Sequence, residues 1–406
     1  MDRTSWIAII VSVIGLFAWQ WYVSEHLAPP PAPATQAAAA TPPPAPAPQP
    51  TVAATPSPAA MKALEETLKG EGAEFVFNND TGGIEQVVLG MHMGENKDHV
   101  SLNRSRTLPI GAIGFQPGEV LGGFNMTTDP AKGAAVFNLM REGGLEITKR
   151  FQLPPPGDKN KSYIVTLDIS FRNTGATHQQ VPDFFVSAGG AAPIHIYDLP
   201  MYTRFDWGHG SKMSNIDVNW FSASSVPLIG IQIHGERELY QESQPEIRWA
   251  AVASQYFCTV VTPQGNTAVK SVWAKRFDAP ELSGKHVFGV KGGLVLPGLS
   301  LAPGATETRS FQIYAGPKEL QSLRRLGPTQ DKVMNFGVFG FVSEFLLWAM
   351  NSLHALVGNY AWSIILLTLL IKTALWPVQN KATNEMRKMS LLSPKMTEMR
   401  EKFKDD

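Results

Sequence analysis

The chain has 406 residues, with 35 Lys and Arg balanced by 35 Asp and Glu, 31 prolines and one cysteine. Zero net charge, with no basic stretch interleaved with aromatics, excludes a nucleic-acid footprint. The lone Cys258 excludes an internal disulfide, a cysteine-based zinc site and a CxxC redox pair. Charged residues make up 17% of the chain, against roughly 25% in a soluble globular protein, so part of it is expected to live outside water.

The first element is an apolar run of eighteen residues, 6–23, which at 1.5 Å per residue reaches about 27 Å, enough to cross a bilayer. A cleaved signal peptide would have a shorter apolar stretch followed closely by small residues. Here Phe17, Trp19, Trp21 and Tyr22 crowd the far end like an interfacial belt, and the run reads as an uncleaved anchor. Arg3 precedes it and no Lys or Arg follows until Lys62, which places the N-terminus (1–5) in the cytoplasm. Residues 24–60 then read as a linker: between Pro29 and Pro58, twelve of thirty residues are Pro, ten are Ala and none is charged. Such a composition favours extended polyproline II and cannot build a core.

From 61 to 325 the pattern becomes short alternating runs closed by Gly, Pro, Asn or Asp. Residues 73–78 and 84–89 flank Asn79-Asp80-Thr81-Gly82-Gly83 as a hairpin, and Tyr163 to Arg172 (YIVTLDISFR) alternates strictly. Further strands are expected at 250–263, 271–277 and 308–315. About 265 residues of this kind, with no fixed repeat, predict one large antiparallel β sandwich. Within it His195, His209, His234, Glu238 and Glu242 are the acid–base candidates, and they read as solvated loop residues rather than a catalytic set. No GxxxxGK[ST], HExxH, GxSxG or GxGxxG occurs.

After Gly327-Pro328 the period turns helical. Over 330–357 apolar residues cover most of the cylinder, and Glu344, Asn351 and His354 form a narrow polar stripe. A helix lying in the outer membrane interface and a helix packed on the sandwich both fit. Residues 360–378, YAWSIILLTLLIKTALWPV, read as a second span with Pro377 at its exit. None of the residues 333–371 is Lys or Arg, whereas 381–404 contain seven, so this span returns to the cytoplasm and the β domain lies outside, between the two.

Lys372 sits inside that second span, where an ammonium costs about 2.5–3.5 kcal/mol on insertion scales. Two readings account for it. It snorkels, being only four residues before Trp376, or it shares one face with Thr368 at i, i+4 and lines a wet cavity that holds a polar or acidic segment. The tail that follows carries Met386, Met389, Leu392, Met396, Met399 and Phe403 as an apolar stripe interrupted at Pro394, with Lys388, Lys395 and Arg400 between. It reads equally as a helix packing on its own continuation and as an adaptable partner surface.

These residues resemble the YidC/Oxa/Alb family of bacterial membrane protein insertases. The resemblance rests on the anchor ending FAWQW, the Pro/Ala linker, the outer β domain, GNYAWSIILLTLLIKTALWPV, and the M-x-K-M-x-x-L-x-P-K-x-x-x-M-R-E frame from Met386 to Glu401. It implies a periplasmic super-sandwich similar to galactose mutarotase, flanked by two transmembrane helices. It also implies a hydrophilic groove through which segments pass into lipid, with no cofactor and no covalent catalysis.

By the same resemblance Lys372 stands where the family usually has the groove arginine, with Thr368 lining the groove one turn earlier. Lys keeps the charge but not the planar fork. Met386, Lys388, Met389, Leu392, Pro394, Lys395, Met399 and Arg400 fall in the first helix (379–406) of a cytoplasmic hairpin that recruits incoming chains. The implied partners are nascent integral membrane proteins, Sec translocase components and the lipid bilayer of the inner membrane. Family members continue through four more spans, so the chain is read as a partial sequence. The competing expectations are a membrane-tethered sugar-binding or mutarotase-like domain, and a passive scaffold for translocation components.

Overall fold

In the computed structural model the described residues are 64–402, apart from 95–96, 156, 158–161, 226–231, 283 and 338. The expected anchor at 6–23 and the linker at 24–60 lie outside them. The described chain falls into two compact units that part between Gly316 and Pro317, with Ser211–Met213 counted in the second.

The first unit is built on a nine-stranded sheet. Its order in space is Lys212–Asp217, Arg204–His209, Ile247–Ala253, Phe257–Pro263, Thr306–Pro317, Ile164–Asn173, Leu145–Gln152, Ala134–Arg141 and Asn125–Asp129. Period-2 alternation explains which face is buried: Val165, Leu167, Ile169 and Phe171 are inside while Thr166 and Arg172 are exposed. A four-stranded sheet (Glu65–Lys69, Ala73–Asn78, Gly83–Met93, His99–Leu102) and a five-stranded sheet (Tyr240–Glu242, Ser271–Leu282, Lys285–Leu296, Phe184–Ala191, Ile113–Gly114) contribute to the same core. Phe77 packs on Phe137 and Phe151 at centroid distances of 6.0 and 5.3 Å, and Phe171 meets Phe184 at 4.9 Å, so each smaller sheet is stapled to the large one by aromatic contact. This is the expected all-β sandwich.

The hairpin expected at 73–89 forms, with Gly82 at φ +58° in its turn and the second strand running on to Met93. A Cβ on Gly82 would lie 2.7 Å from Phe124, so both the backbone conformation and the packing require glycine there. Two expectations need correction. Residues 250–263 are two strands folded back at Ser254, whose N–H donates to the Phe257 carbonyl (2.9 Å), because the polar Ser254-Gln255 pair interrupts the apolar run. The last strand ends at Pro317, and Leu320–Leu326, expected inside the β region, is a short helix.

Two charged features interrupt the apolar core. Lys149 follows Leu145 and Ile147 on the buried face of its strand and is fully enclosed. Arg204 and Asp206, also buried, form an ion pair at 3.0 Å along one strand.

The second unit is helical. Gln330–Met334 is a 3-10 turn, and the helix expected over 330–357 begins only at Gly340 and runs to Val357, after the left-handed Asn335 and Gly337 break any earlier start. Gly358, at φ +72°, caps it by donating to the His354 carbonyl (2.7 Å). The next helix, Tyr360–Lys402, is continuous for 43 residues. The span expected to end at 378 and the basic helix expected from 379 are therefore one element, running through Pro377 and Pro394.

Candidate functional site

Both long helices present apolar side chains that no described residue covers. Along Gly340–Val357, Phe341, Phe345, Trp348 and Leu356 are exposed. Along Tyr360–Lys402, so are Trp362, Ile365, Leu369, Leu370 and Trp376. No residue of the first helix is buried, and both are long and apolar enough to cross a membrane. A face of this size does not persist in water; lipid is the environment that accepts it.

The corner between them is tightly made. Asn359 accepts from Ala361 N–H through its side chain (2.8 Å) and from Ser363 through its carbonyl, while His354 stacks on Tyr360 at 3.8 Å and 16°. Ser363 is buried, and Leu367 and Ile371, one and two turns later, are half-buried, which marks the packed face of the long helix. Thr368 and Lys372 each sit one residue beyond that row, about 100° around the helix, and both are exposed. Thr368 and Lys372 therefore share one side of the helix, beside the packed face. The Thr368 hydroxyl donates to its own helix at Ile364 O (2.7 Å) and Thr373 does the same at Leu369 O (2.8 Å), which lets both threonines sit in an apolar stretch. No ion pair holds Lys372 among the described residues.

Further along, Met386, Lys388 and Met389 are exposed on the same helix, with Lys388 paired to Glu385 at 3.0 Å. Leu392, Pro394, Lys395, Met399 and Arg400 lie on its continuation as backbone positions. Arg324, which sequence reasoning did not single out, donates to Asp331 (3.3 Å) and to Glu344 (2.9 Å), and so fastens the start of the Gly340–Val357 helix to the turn before it.

In the β unit the five acid–base candidates do not form a set. His195 faces Asp198 at 3.6 Å, His209 meets Ser214 at 3.0 Å, His234 meets the Gly235 carbonyl, Glu242 bonds Tyr240, and Glu238 is exposed. No group of three metal-ligating side chains occurs among the described residues. What sequence reasoning missed is a cleft of about 240 Å³ between strand His99–Leu102 and the segments Gly190–Ile194, Ser254–Thr259 and Ala279–Leu282. It joins residues nearly two hundred positions apart, so no local signal marks it.

A β sandwich followed by two long apolar helices with exposed apolar faces defines a membrane protein with a large extramembrane domain. Two family models match it: "YidC periplasmic domain" over residues 120–349, more than half of the chain, and "60Kd inner membrane protein" over 352–406. The chain belongs to the YidC family. It is 32% identical over 158 residues to the membrane protein insertase YidC of Dechloromonas aromatica (39% of this chain, 27% of the relative). It is 27% identical over 289 residues to that of Paraburkholderia xenovorans (70% and 47%). The matched stretches thus span less than half the length of these relatives. Among solved structures, a galactose mutarotase-like protein from Lactobacillus casei aligns over 62% of this chain and 99% of its own, at TM-score 0.37 and 9% identity. A putative aldose 1-epimerase from Escherichia coli K12 aligns over 63% and 99%, at 0.36 and 11%.

Proposed function

We propose that the chain belongs to an insertase and membrane chaperone of the bacterial inner membrane, working with and without the Sec translocase. In this reading Lys372 is the electrostatic bait for incoming polar or acidic segments and Thr368 is groove lining. The observation that carries this is Lys372 itself: an exposed cation on an apolar helix, one turn after Thr368 and about 100° around from the face that packs. In low dielectric a fixed ammonium attracts a carboxylate far more strongly than in water, so a translocating acidic segment is held part-way and then released sideways into lipid. The step is one of binding and transfer, with no bond made or broken.

The topology that goes with it has the N-terminus in the cytoplasm, the sandwich in the periplasm and the helix beyond residue 378 returning to the cytoplasm. There Met386, Met389, Leu392, Met396 and Met399, with Lys388, Lys395 and Arg400 between them, offer a soft, basic surface to nascent chains, and Pro394 falls inside that surface. The direct test is insertion of a small membrane protein with an acidic translocated tail by the complete product of the gene. Lys372→Leu is expected to lower it at least several-fold and Lys372→Arg to leave it intact. Full insertion by Lys372→Leu would remove the charge from the mechanism.

A further inference from the structure

Strand His99–Leu102 is the outer strand of the four-stranded sheet and, among the described residues, pairs only with Gly83–Met93. In an antiparallel ladder every second residue directs its N–H and C=O away from the partner strand. Among the described residues no backbone hydrogen bond reaches 99–102 from any other element. That free edge lines the cleft of about 240 Å³.

Open edges are ordinarily guarded by lysines, prolines or a covering loop. Here the facing wall is small and neutral along most of its length, with Gly190, Ala191, Ala192, Pro193 and Ala279 lining it and Glu281 as its charged residue. Asp98 and the exposed Arg104 flank the two ends of the strand, outside its four residues. The wall and the edge are also held at a set spacing. Asn103, at φ +55°, ends the strand; its carboxamide donates to the carbonyls of Glu85 (2.9 Å) and Leu108 (3.0 Å) and accepts from the Gly190 N–H (2.9 Å). Asn103 is buried, so this brace ties the edge strand to the wall strand Phe184–Ala191 before anything binds.

We propose that this edge and cleft bind an extended polypeptide segment of another protein by strand addition. Exposed main-chain donors and acceptors in register fit another main chain, and the shallow wall of alanine and proline accepts small or apolar side chains without selecting one sequence. Charge selects only weakly, because Asp98 and Glu281 in the lining are set against Arg104. The chain's own linker is a poor occupant: twelve prolines in thirty residues remove the N–H groups that a ladder needs. The occupant is therefore an unfolded segment in trans, held by four residues of edge, and so weakly and reversibly. The inference stands on the β unit alone and does not depend on Lys372.

The test is amide hydrogen exchange of the full chain in detergent, with and without an acetylated, amidated octapeptide of alternating valine and threonine carrying one terminal lysine for solubility. At ten times its Kd the peptide is expected to slow exchange about tenfold at alternate amides of 99–102, and to leave the amides already bonded to Gly83–Met93 unchanged. The same peptide N-methylated at two consecutive central residues, which blocks both of its edges, is expected to give no protection. Ala192→Trp, which fills the cleft, is expected to abolish protection while exchange in the rest of the sandwich stays as before. Absence of protection at 99–102, or equal protection by the methylated peptide, overturns the proposal. So does exchange at 99–102 that is slow without peptide and speeds up when residues 29–58 are deleted, since the linker would then be the occupant.

Discussion

Lys149 donates its hydrogen bond to the carbonyl of Gly82 in the middle of the sandwich, under the rings of Phe124 and Phe151 at 5.1 and 5.7 Å. No carboxylate pairs with it among the described residues, so burial alone acts on the ammonium and pushes its pKa down from 10.5 to about 7.

The pH dependence of stability follows from that shift. Below pH 7 the lysine is protonated in both folded and unfolded chains, and the penalty for burying its charge is at its largest. Between pH 7 and about 10.5 the unfolded chain binds the extra proton, so stability rises with pH, by up to roughly 1.4 kcal/mol per pH unit from this group. Denaturant unfolding followed by tryptophan fluorescence should show this slope. Lys149→Met should remove it and stabilise the protein at pH 6.

The carbonyl that Lys149 uses belongs to a residue that tolerates no side chain. Gly82→Ala is expected to destabilise the sandwich by about 1–3 kcal/mol, because it combines a left-handed backbone with a clash against Phe124. Equilibrium unfolding at constant pH measures it. A change below about 0.5 kcal/mol would mean that the turn shifts freely.

Arg204 and Asp206 make the reciprocal case, a buried pair on one strand. Replacing Asp206 with Ala should cost about 3–5 kcal/mol, since the guanidinium stays buried without its counter-charge, whereas the double replacement Arg204→Met with Asp206→Leu should cost much less. A double-mutant cycle in denaturant gives the coupling directly.

Depth in the bilayer is expected to distinguish the two long helices. With Cys258 replaced by Ala, spin labels placed singly at 341, 345 and 348 are expected at one shallow depth, as an interfacial helix requires. Labels at 362, 369 and 376 should step across about 21 Å at 1.5 Å per residue. Oxygen and nickel accessibility reads both, and a full depth gradient over 341–357 would make the first helix a span.

Much of this molecule is legible in its residues because the signals are local. Alternation marks Ala73–Asn78 and Ile164–Asn173, Asn79 to Gly83 marks the turn between strands, and a long, predominantly apolar run marks Tyr360 to Val378. The Thr368–Lys372 row follows from helical spacing alone. Even Lys149 left a trace, since Leu145, Ile147 and Phe151 alternate with it toward the core, but a single lysine in such a row reads as a strand end until the opposite sheet is in place.

The hairpin at Ser254, the late start of the helix at Gly340 and the unbroken helix through Pro377 each turn on a local choice that neighbours decide. Prolines interrupt a helix only by removing one hydrogen bond and crowding one carbonyl, which a long flanking helix absorbs.

By itself the sequence determined the β class of the large domain, the apolar helices after it and the placement of one cation among them, because periodicity and hydropathy act over a few residues. Only the tertiary structure decided that Arg204 and Asp206 share a buried face, that Lys149 reaches Gly82, and that strand His99–Leu102 keeps an open edge beside a cleft walled by Ala191 and Thr259. These depend on which strands lie beside one another, and that order is set by packing across the whole core rather than by any stretch of chain within it.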